Sequence, residues 1–343
     1  MGYLIVRSCG AKMKVTINDI AKMAGVSIST VSRVINNSKP VNEDVRMRVM
    51  EAIKQTQYRS GTPAGDGTKT DSALIGVIAP QFSQTVLNDM VAGIESVSRL
   101  YGFELLIGLT DGTLESELDH LKRFGSIESK GIIFVGSMLE RRHVKTIEAA
   151  GIPCVVIGQI SNIPSIPSVH VDNITASYEA VTHLIQKGHR RIAMIRGIGD
   201  SGIGNDRYQG FCQAMNDAGL PVRKDWVVKS ELSVDDGMNA MRKLVETGEM
   251  PTAVFCSTDW MAIGAMNYVL DQGMRIPEDV AIFGFDGSYL SSIFRPKLST
   301  VEYSATEIGM TATRSLIKMI KGASDIPQHS NVTHYLAIRE STK

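Results

Sequence analysis

The sequence contains no apolar run that approaches the ~20 residues of a membrane-spanning helix. Its first residues include no basic leader of the kind that opens a secretory signal. Its four cysteines are widely separated, without a CxxC pair or a Cys/His cluster at metal-ligand spacing. These absences argue against a membrane protein, an exported protein and a zinc module. The cysteines are expected to be reduced thiols in a cytoplasmic protein.

Catalytic patterns are also scarce. No Ser/His/Asp or Cys/His set has supporting spacing, so we predict no catalytic residue, no metal and no cofactor. One motif points the other way, because Gly197-Ile-Gly199-Asp-Ser-Gly202 matches GxGxxG after a predicted strand. This keeps a nucleotide-dependent oxidoreductase open as an alternative. The motif lies in the middle of the chain, however, and no acidic residue ends a strand ~20 residues later.

Charge is distributed unevenly, although the formal net charge is zero. Residues 1–60 contain ten basic and four acidic side chains, a formal charge of +6, which leaves −6 on residues 61–343. A basic N-terminal segment on an acidic remainder fits a polyanionic partner for that segment alone.

Residues 16–57 have the pattern of three short helices. Thr16, Ser27 and Asn42 are suited to cap them, Gly25 supplies a turn and Pro40 interrupts the chain. Apolar residues recur at helical spacing in each segment: Ile17, Ile20, Ala21 and Ala24; Val31, Val34 and Ile35; Val45, Val49, Ala52 and Ile53.

After this segment the composition changes twice. Residues 60–72 are rich in Gly, Thr and Ser, which is typical of a linker. From residue 73 onward, apolar strand-like runs alternate with helical patterns, which predicts parallel sheets wound with helices on both faces. Residues 73–343 are many for one such layer, so two lobes with a cleft are expected.

Ordered motifs along nearly the whole chain resemble the LacI/GalR (lactose/galactose repressor) family. The resemblance is close over residues 15–36 and implies an N-terminal all-α helix-turn-helix head on an α/β body with two periplasmic-binding-protein-like lobes. It continues through motifs in the body: Asp111-Gly112, Val171-Asp172-Asn173, Gly188-His189-Arg190-Arg191, Arg207-Tyr208-Gln209-Gly210-Phe211, Ile276-Pro277-Glu278-Asp279 and Gly284-Phe285-Asp286.

The resemblance assigns DNA contacts to the head. In a helix-turn-helix, the N-terminal residues of the second helix meet base edges in the major groove. Arg33 is suited to a bidentate contact with guanine, Ser29 to either base type and Ile28 to a thymine methyl. Phosphate contacts are expected from short polar residues, several of which are also suited to capping, and from one lysine: Thr16, Ser27, Thr30, Ser32, Asn36 and Lys39.

The linker departs from the family pattern. Family members place a hinge helix here, and its leucine wedges into the minor groove; the matching position in this chain is Gly67. Gly61, Pro63, Gly65 and Gly67 oppose a helix, at ~1 kcal/mol per Gly and ~3 kcal/mol per interior Pro. We therefore expect a largely unstructured hinge with weaker DNA bending. A hinge helix in a different register is the alternative.

The resemblance also places a small-molecule effector, with a carbohydrate as the family expectation, in the cleft between the lobes. Arg207 and Asp286 are expected at the cleft mouth, where charge-assisted bonds would clamp several hydroxyls; an ion pair between the lobes is the alternative role. Trp260, which lies near these positions in sequence, is expected in the core or at the rim, and a role as an aromatic platform for the ligand is the alternative. The predicted effector-binding positions are Val86, Leu87, Gly158, Ser201, Arg207, Leu232, Thr258 and Asp286.

These observations predict a domain order and a function. Residues 1–12 are expected to be a disordered extension, 13–60 the DNA-binding head, 61–73 the linker or hinge, and 74–343 the effector-binding and dimerisation body. The function implied is a homodimeric repressor on a pseudo-palindromic operator, without a tetramerising tail because 328–343 lacks apolar heptads. A transporter's solute-binding protein is a further alternative, but it would need a signal peptide and no head.

Overall fold

The computed structural model describes residues 15–36, 40–56, 73–80, 85–127, 129–197 and 202–343. They belong to two compact units. The predicted extension at 1–12 and the hinge, apart from Ala73, lie outside the described residues. None of the described helices combines the length and the apolar character that a membrane crossing requires.

The first unit contains the predicted helices α1 (Ile17–Ala24), α2 (Ile28–Asn36) and α3 (Glu43–Thr56). Side-chain oxygens satisfy the free N–H groups at the helix starts. The Ser27 hydroxyl accepts from the Thr30 N–H at 3.2 Å, and the Asn42 Oδ1 accepts from the Asp44 N–H at 2.9 Å. At Thr16 the N–H and the hydroxyl both donate to Asp19. Ile20, Val31, Val34 and Val49 are fully buried between the helices.

The second unit alternates strands and helices, as predicted. Its elements, in chain order, are β1 (Ala73–Pro80), α4 (Thr85–Leu100), β2 (Phe103–Thr110), α5 (Leu114–Ser126), β3 (Gly131–Phe134), α6 (Arg141–Ala150), β4 (Cys154–Ile157), β5 (Ser168–His170), α7 (Asn173–Gln186), β6 (Ile192–Gly197), α8 (Ile203–Asp217), β7 (Val227–Ser230), α9 (Val234–Val245), β8 (Ala253–Cys256), α10 (Asp259–Asp271), β9 (Ala281–Asp286), α11 (Tyr289–Ile293), β10 (Ser299–Tyr303), α12 (Ala305–Ile320), β11 (His329–Asn331) and β12 (His334–Ala337).

The strands form two sheets, one in each lobe. The first lobe has the strand order β11-β5-β4-β3-β1-β2 and the second β12-β10-β9-β8-β6-β7. The central pairs among the described strands are parallel, and β12 runs antiparallel to β10. Parallel central strands are covered on both faces, which explains why β3, β4 and β8 consist entirely of buried residues.

The chain passes between the lobes three times. It leaves the first sheet after β5, returns after β10 through α12, which packs on β3 and β4, and crosses again between β11 and β12. Both lobes therefore contain residues that are distant in sequence. The carboxyl ends of the parallel strands and the starts of the helices that follow them provide the site residues described next.

Candidate DNA-reading face and effector cavity

Helix α2 has one buried face and one exposed face. Val31 and Val34 are completely buried, whereas Ile28 is 48% exposed. Ser29 and Arg33 are also exposed and lie one helical turn apart. Burial of the inward residues fixes the orientation of α2, so these three side chains are on its exposed side.

Thr16, Ser27 and Thr30 make hydrogen bonds at the starts of α1 and α2. The Ser27 hydroxyl lies 2.8 Å from both the Ser29 and the Thr30 hydroxyls, in addition to accepting the Thr30 N–H. Thr16 is exposed and bonded to Asp19. Ser32 is partly buried. Lys39 and the side chain of Asn36 lie outside the described residues.

A cavity of about 820 Å³ opens between the two lobes of the second unit. Both lobes contribute to its walls, mostly with residues at strand ends and helix starts. Of the predicted effector positions, Ser201 lies outside the described residues and the other seven line the cavity: Val86, Leu87, Gly158, Arg207, Leu232, Thr258 and Asp286.

Arg207 and Asp286 form a buried ion pair on the cavity wall. The Arg207 Nη1 and the Asp286 Oδ1 are 3.1 Å apart, and the two side chains are 6% and 8% exposed. Both residues belong to the second lobe, on α8 and β9, so the alternative of an ion pair between the lobes was wrong. Arg207 lies in the second turn of α8 rather than at its start, because the helix begins at Ile203.

Further contacts hold the Arg207 guanidinium in place. Its Nε donates to the Asn173 Oδ1 at 2.9 Å, and its Nη1 donates to the Ser257 carbonyl. The guanidinium carbon lies 3.5 Å from the centre of the Phe285 ring, a cation–π contact. These partners come from α7, β9 and the end of β8. The charge at the cavity wall is therefore fixed by neighbours on three elements.

The carboxylates near this pair titrate abnormally. Burial raises the pKa of Asp286, and the Arg207 charge partly opposes that rise. Asp259 has no solvent exposure, and burial, followed by repulsion from Asp286, raises its pKa to about 7. Asp259 accepts hydrogen bonds from the Ser288 N–H and the Thr300 hydroxyl at 2.6 Å each. Asp259 is therefore a buried structural carboxylate whose pKa lies well above its ordinary value.

Asp286 is also strained. Its φ of 114° is positive, which among the described residues is recorded for no other non-glycine residue. Such conformations cost about 1–3 kcal/mol and concentrate at functional sites. The Tyr303 hydroxyl donates to the Asp286 Oδ1 at 3.1 Å and helps to hold it there.

On the cavity wall, Gly158 of the first lobe faces Ile203 of the second. Gly158 has a φ of +85°, and a Cβ at this position would lie 2.9 Å from the Ile203 Cδ1. The positive φ favours glycine at this position, whereas the end of the Ile203 side chain could turn aside to make room for a Cβ.

Comparisons with known proteins match this architecture. Residues 16–60 match the profile of the lacI family of bacterial regulatory proteins, and residues 181–342 match a periplasmic binding protein-like domain. Catabolite control protein A of Priestia megaterium is 33% identical over 332 residues, covering 96% of this chain and all of that protein. The chain belongs to the LacI family.

Other LacI-family proteins extend the comparison. The transcriptional repressor PurR of Haemophilus influenzae is 31% identical, over 96% of this chain and 98% of its own length. A structure of the regulator CelR in complex with cellobiose superposes with a TM-score of 0.72 and 27% identity, covering 95% of this chain and 99% of that one. The chain is thus a DNA-binding transcription regulator with an effector domain. Neither the oxidoreductase nor the solute-binding alternative is supported.

The cavity of this LacI-family regulator also includes residues that were not predicted for it: Tyr303, Ile203, Ser257 and Glu231. Trp260, which lies just after the N-cap Thr258, is partly buried and lines the cavity as well. Tyr303 ends β10, far along the chain, and no local pattern indicates its place beside Asp286.

A buried polar cluster supports the first-lobe wall at Gly136. The Glu117 carboxylate accepts from the Ser137 N–H and hydroxyl and lies 3.0 Å from the His143 Nε2. The His143 Nδ1 accepts from the Glu140 N–H, so Nε2 carries the ring proton and donates a hydrogen bond to the Glu117 carboxylate. Glu117 and His143 are completely buried. They hold the loop after β3 in place.

Proposed function

We propose that this LacI-family regulator is a cytoplasmic homodimeric repressor that binds paired operator half-sites through α2 and responds to a small molecule in the interlobe cavity. The observation that carries the proposal is the exposed face of α2. Ile28, Ser29 and Arg33 project outward from a helix whose opposite face is buried. Two-fold symmetry of a dimer would match a pseudo-palindromic operator.

The proposed roles in the head follow from side-chain chemistry. Arg33 would read guanine, Ser29 either base type and Ile28 a thymine methyl. The residues that position the head would contact phosphates without reading sequence. Caps at helix N-termini suit this role, because free N–H groups and the helix dipole attract anions there. The proposed phosphate contacts are Thr16, Ser27, Thr30, Ser32, Asn36 and Lys39.

In the body, we propose that the seven described cavity residues and Ser201 contact the effector. We further propose that residues 13–60 act as the head, 61–73 as the linker and 74–343 as the effector-binding body. A carbohydrate-type effector is supported by the CelR structure, which contains cellobiose. Effector binding would alter DNA affinity by favouring one arrangement of the lobes.

Substitution of Arg33 tests the proposed reading face. After a duplex is selected from a random library, Arg33→Ala should weaken its binding by about 1–3 kcal/mol and relax the sequence preference at one position. Arg48→Ala is the matched control, because Arg48 is an exposed arginine on α3 and its loss changes the charge equally. The control should mainly reduce the salt dependence.

Mobility-shift titrations at several salt concentrations measure both effects. Arg48→Ala should keep the sequence preference of the parent. If Arg33→Ala kept that preference too, α2 would not be the reading face. Absence of salt-sensitive binding to any duplex would reject the proposed function itself.

A further inference from the structure

We propose that the ligand of the interlobe cavity is uncharged or amine-bearing, with apolar faces and a hydrogen-bonding edge, and that the cavity selects against phosphorylated and carboxylated molecules. This inference rests on the proposed function, since it names the class of ligand for the proposed effector site. It follows from the charges, the helix termini and the apolar walls of the cavity.

The charged groups on the cavity wall are predominantly acidic. Asp111, Glu231 and Asp286 line it, and Arg207 is the sole basic residue among its described lining residues. Because the Arg207 Nη1 lies 3.1 Å from Asp286, its charge is already balanced within the protein. Two carboxylates remain without a cation on this wall. The adjoining sequence stretches 81–84 and 198–201 contain one acidic residue and no Lys or Arg.

Helix N-termini attract anions, and several helices begin at this cavity. Three of these helices have carboxylates in their first turns, whereas α4 has none. Asp206 lies in the first turn of α8, Asp235 and Asp236 in that of α9, and Asp259, whose pKa is raised, in that of α10. The carboxylates of α8 and α9 therefore reduce the attraction of these two helix ends for an anionic ligand.

The two lobes face each other with aliphatic side chains. Val86, Leu87 and Ile157 lie on the wall of the first lobe. On the second lobe, Ile203 is 39% exposed and Leu232 is 43% exposed, although both border the cavity. Covering such surface releases water and favours binding. A ligand with apolar faces would therefore be held between these walls.

Hydrogen-bonding groups are gathered on the second lobe. Ser257 is only 2% exposed and lines the cavity, and its hydroxyl has no hydrogen-bond partner among the described residues. Thr258 and Tyr303 lie on the same wall with Arg207 and Asp286. A ligand edge with hydroxyl or amino groups would satisfy these side chains, since an unpaired buried hydroxyl is unfavourable.

A matched pair of dyes tests the inference with the full chain. N-Phenyl-1-naphthylamine is uncharged, and 8-anilino-1-naphthalenesulfonate is the same ring system with a sulfonate. Fluorescence titration at low salt should give saturable binding of the uncharged dye and at least tenfold weaker binding of the sulfonate. The Asp111→Asn/Glu231→Gln double variant should narrow this difference, and Leu232→Arg should reverse it, since each makes the wall less acidic.

Paired aliphatic variants locate the dye. Leu232→Asn should weaken binding of the uncharged dye several-fold. Ile160→Asn should not, because Ile160 is 53% exposed but lies outside the cavity lining. Equal or tighter binding of the sulfonate by the parent chain would overturn the charge selection. If the uncharged dye did not saturate, or if the two variants had equal effects, the proposal that the aliphatic walls hold the ligand would be wrong.

The same preparation is tested with the selected duplex, so that the two proposals can fail independently. If the chain binds DNA but prefers the sulfonate, only the inference about the ligand is wrong. If it binds no duplex, the proposed function is wrong, while the dye preference still reports the chemistry of the cavity.

Discussion

Arg207 and Asp286 are opposite charges that folding removes almost completely from water. Desolvation of two ions costs several kcal/mol each, and their attraction offsets that cost only when further hydrogen bonds complete the geometry. Here Asn173, the Ser257 carbonyl and the Tyr303 hydroxyl supply those bonds. The pair therefore presents a fixed hydrogen-bonding surface to the cavity.

Removing one partner should be more damaging than removing both. Arg207→Met should destabilise the chain by about 3–5 kcal/mol, because it leaves Asp286 buried without a counter-charge. Burial already raises the pKa of Asp286, and loss of Arg207 raises it further. A carboxylate with a raised folded-state pKa is stabilising when protonated, and this contribution is lost as pH rises through that pKa. The penalty should consequently be larger at pH 8 than at pH 5.5.

Urea unfolding at the two pH values, with Arg207→Met, Asp286→Asn and the double variant, completes a thermodynamic cycle. The double variant should recover much of the stability lost in Arg207→Met. A double variant no more stable than that single variant, or a penalty independent of pH, would show that electrostatics do not dominate here.

At the scale of elements, helices α9 and α10 approach unusually closely at two glycines. A Cβ at Gly264 would lie 2.0 Å from the Val234 carbonyl oxygen, and one at Gly237 would lie 2.4 Å from the Met261 carbonyl oxygen. Each obstacle is backbone, so no side-chain rotation relieves it. The two helices cover one face of the second-lobe sheet, and their starts carry Ser233 and Thr258 to the cavity.

Gly264→Ala should therefore destabilise the chain by about 3 kcal/mol or more, the upper end of overpacking effects, because the helices must move apart. Asn267→Ala on the same helix is the control. Asn267 is only partly buried, and its substitution should change the free energy of unfolding by about 0.5 kcal/mol or less. Denaturant unfolding measures both; a Gly264→Ala variant as stable as the control would contradict the close crossing.

How far the sequence predicts these elements depends on their apolar content. The central strands can be recognised in the sequence as apolar runs, because both of their faces are covered. These strands are β1, β3, β4, β6, β8 and β9. β11, by contrast, is three residues long and carries His329, Ser330 and Asn331, without the alternation that marks a strand. Pairing with β5 makes it a strand, and that partner lies far away in sequence.

The residues at and near the cavity also differ in how far the sequence predicts them. Positions matched to family motifs, such as Thr258, were predicted and do line the cavity. The burial of Asp259 was not predicted, because a carboxylate in a sequence usually indicates an exposed side chain. Only the folded chain shows that Ser288 and Thr300, from other elements, satisfy it. Partners supplied by distant strands leave no local signal.

For the whole molecule, buried titratable groups act on stability in opposite directions. Burial lowers the pKa values of His170, His183 and His189. The unfolded chain therefore binds their protons first as pH falls through about 6.5, and stability decreases. Burial raises the pKa of Asp259 to about 7. The folded chain binds that proton below pH 7 while the unfolded chain does not, so stability increases as pH falls.

These contributions offset one another, and two variants should separate them. Asp259→Asn removes the carboxylate whose protonation stabilises the folded chain as pH falls. The free energy of unfolding of this variant should therefore fall more steeply than the parent's between pH 7 and 5, by up to ~1.4 kcal/mol per pH unit. His170→Gln removes one histidine whose protonation favours the unfolded chain, so the stability of this variant should fall less steeply than the parent's. Urea unfolding at pH 7.5, 6.5 and 5.5 measures the three slopes. Because slopes are compared, a uniform loss of stability in either variant does not affect the result, whereas parallel curves would mean that neither group changes protonation on folding.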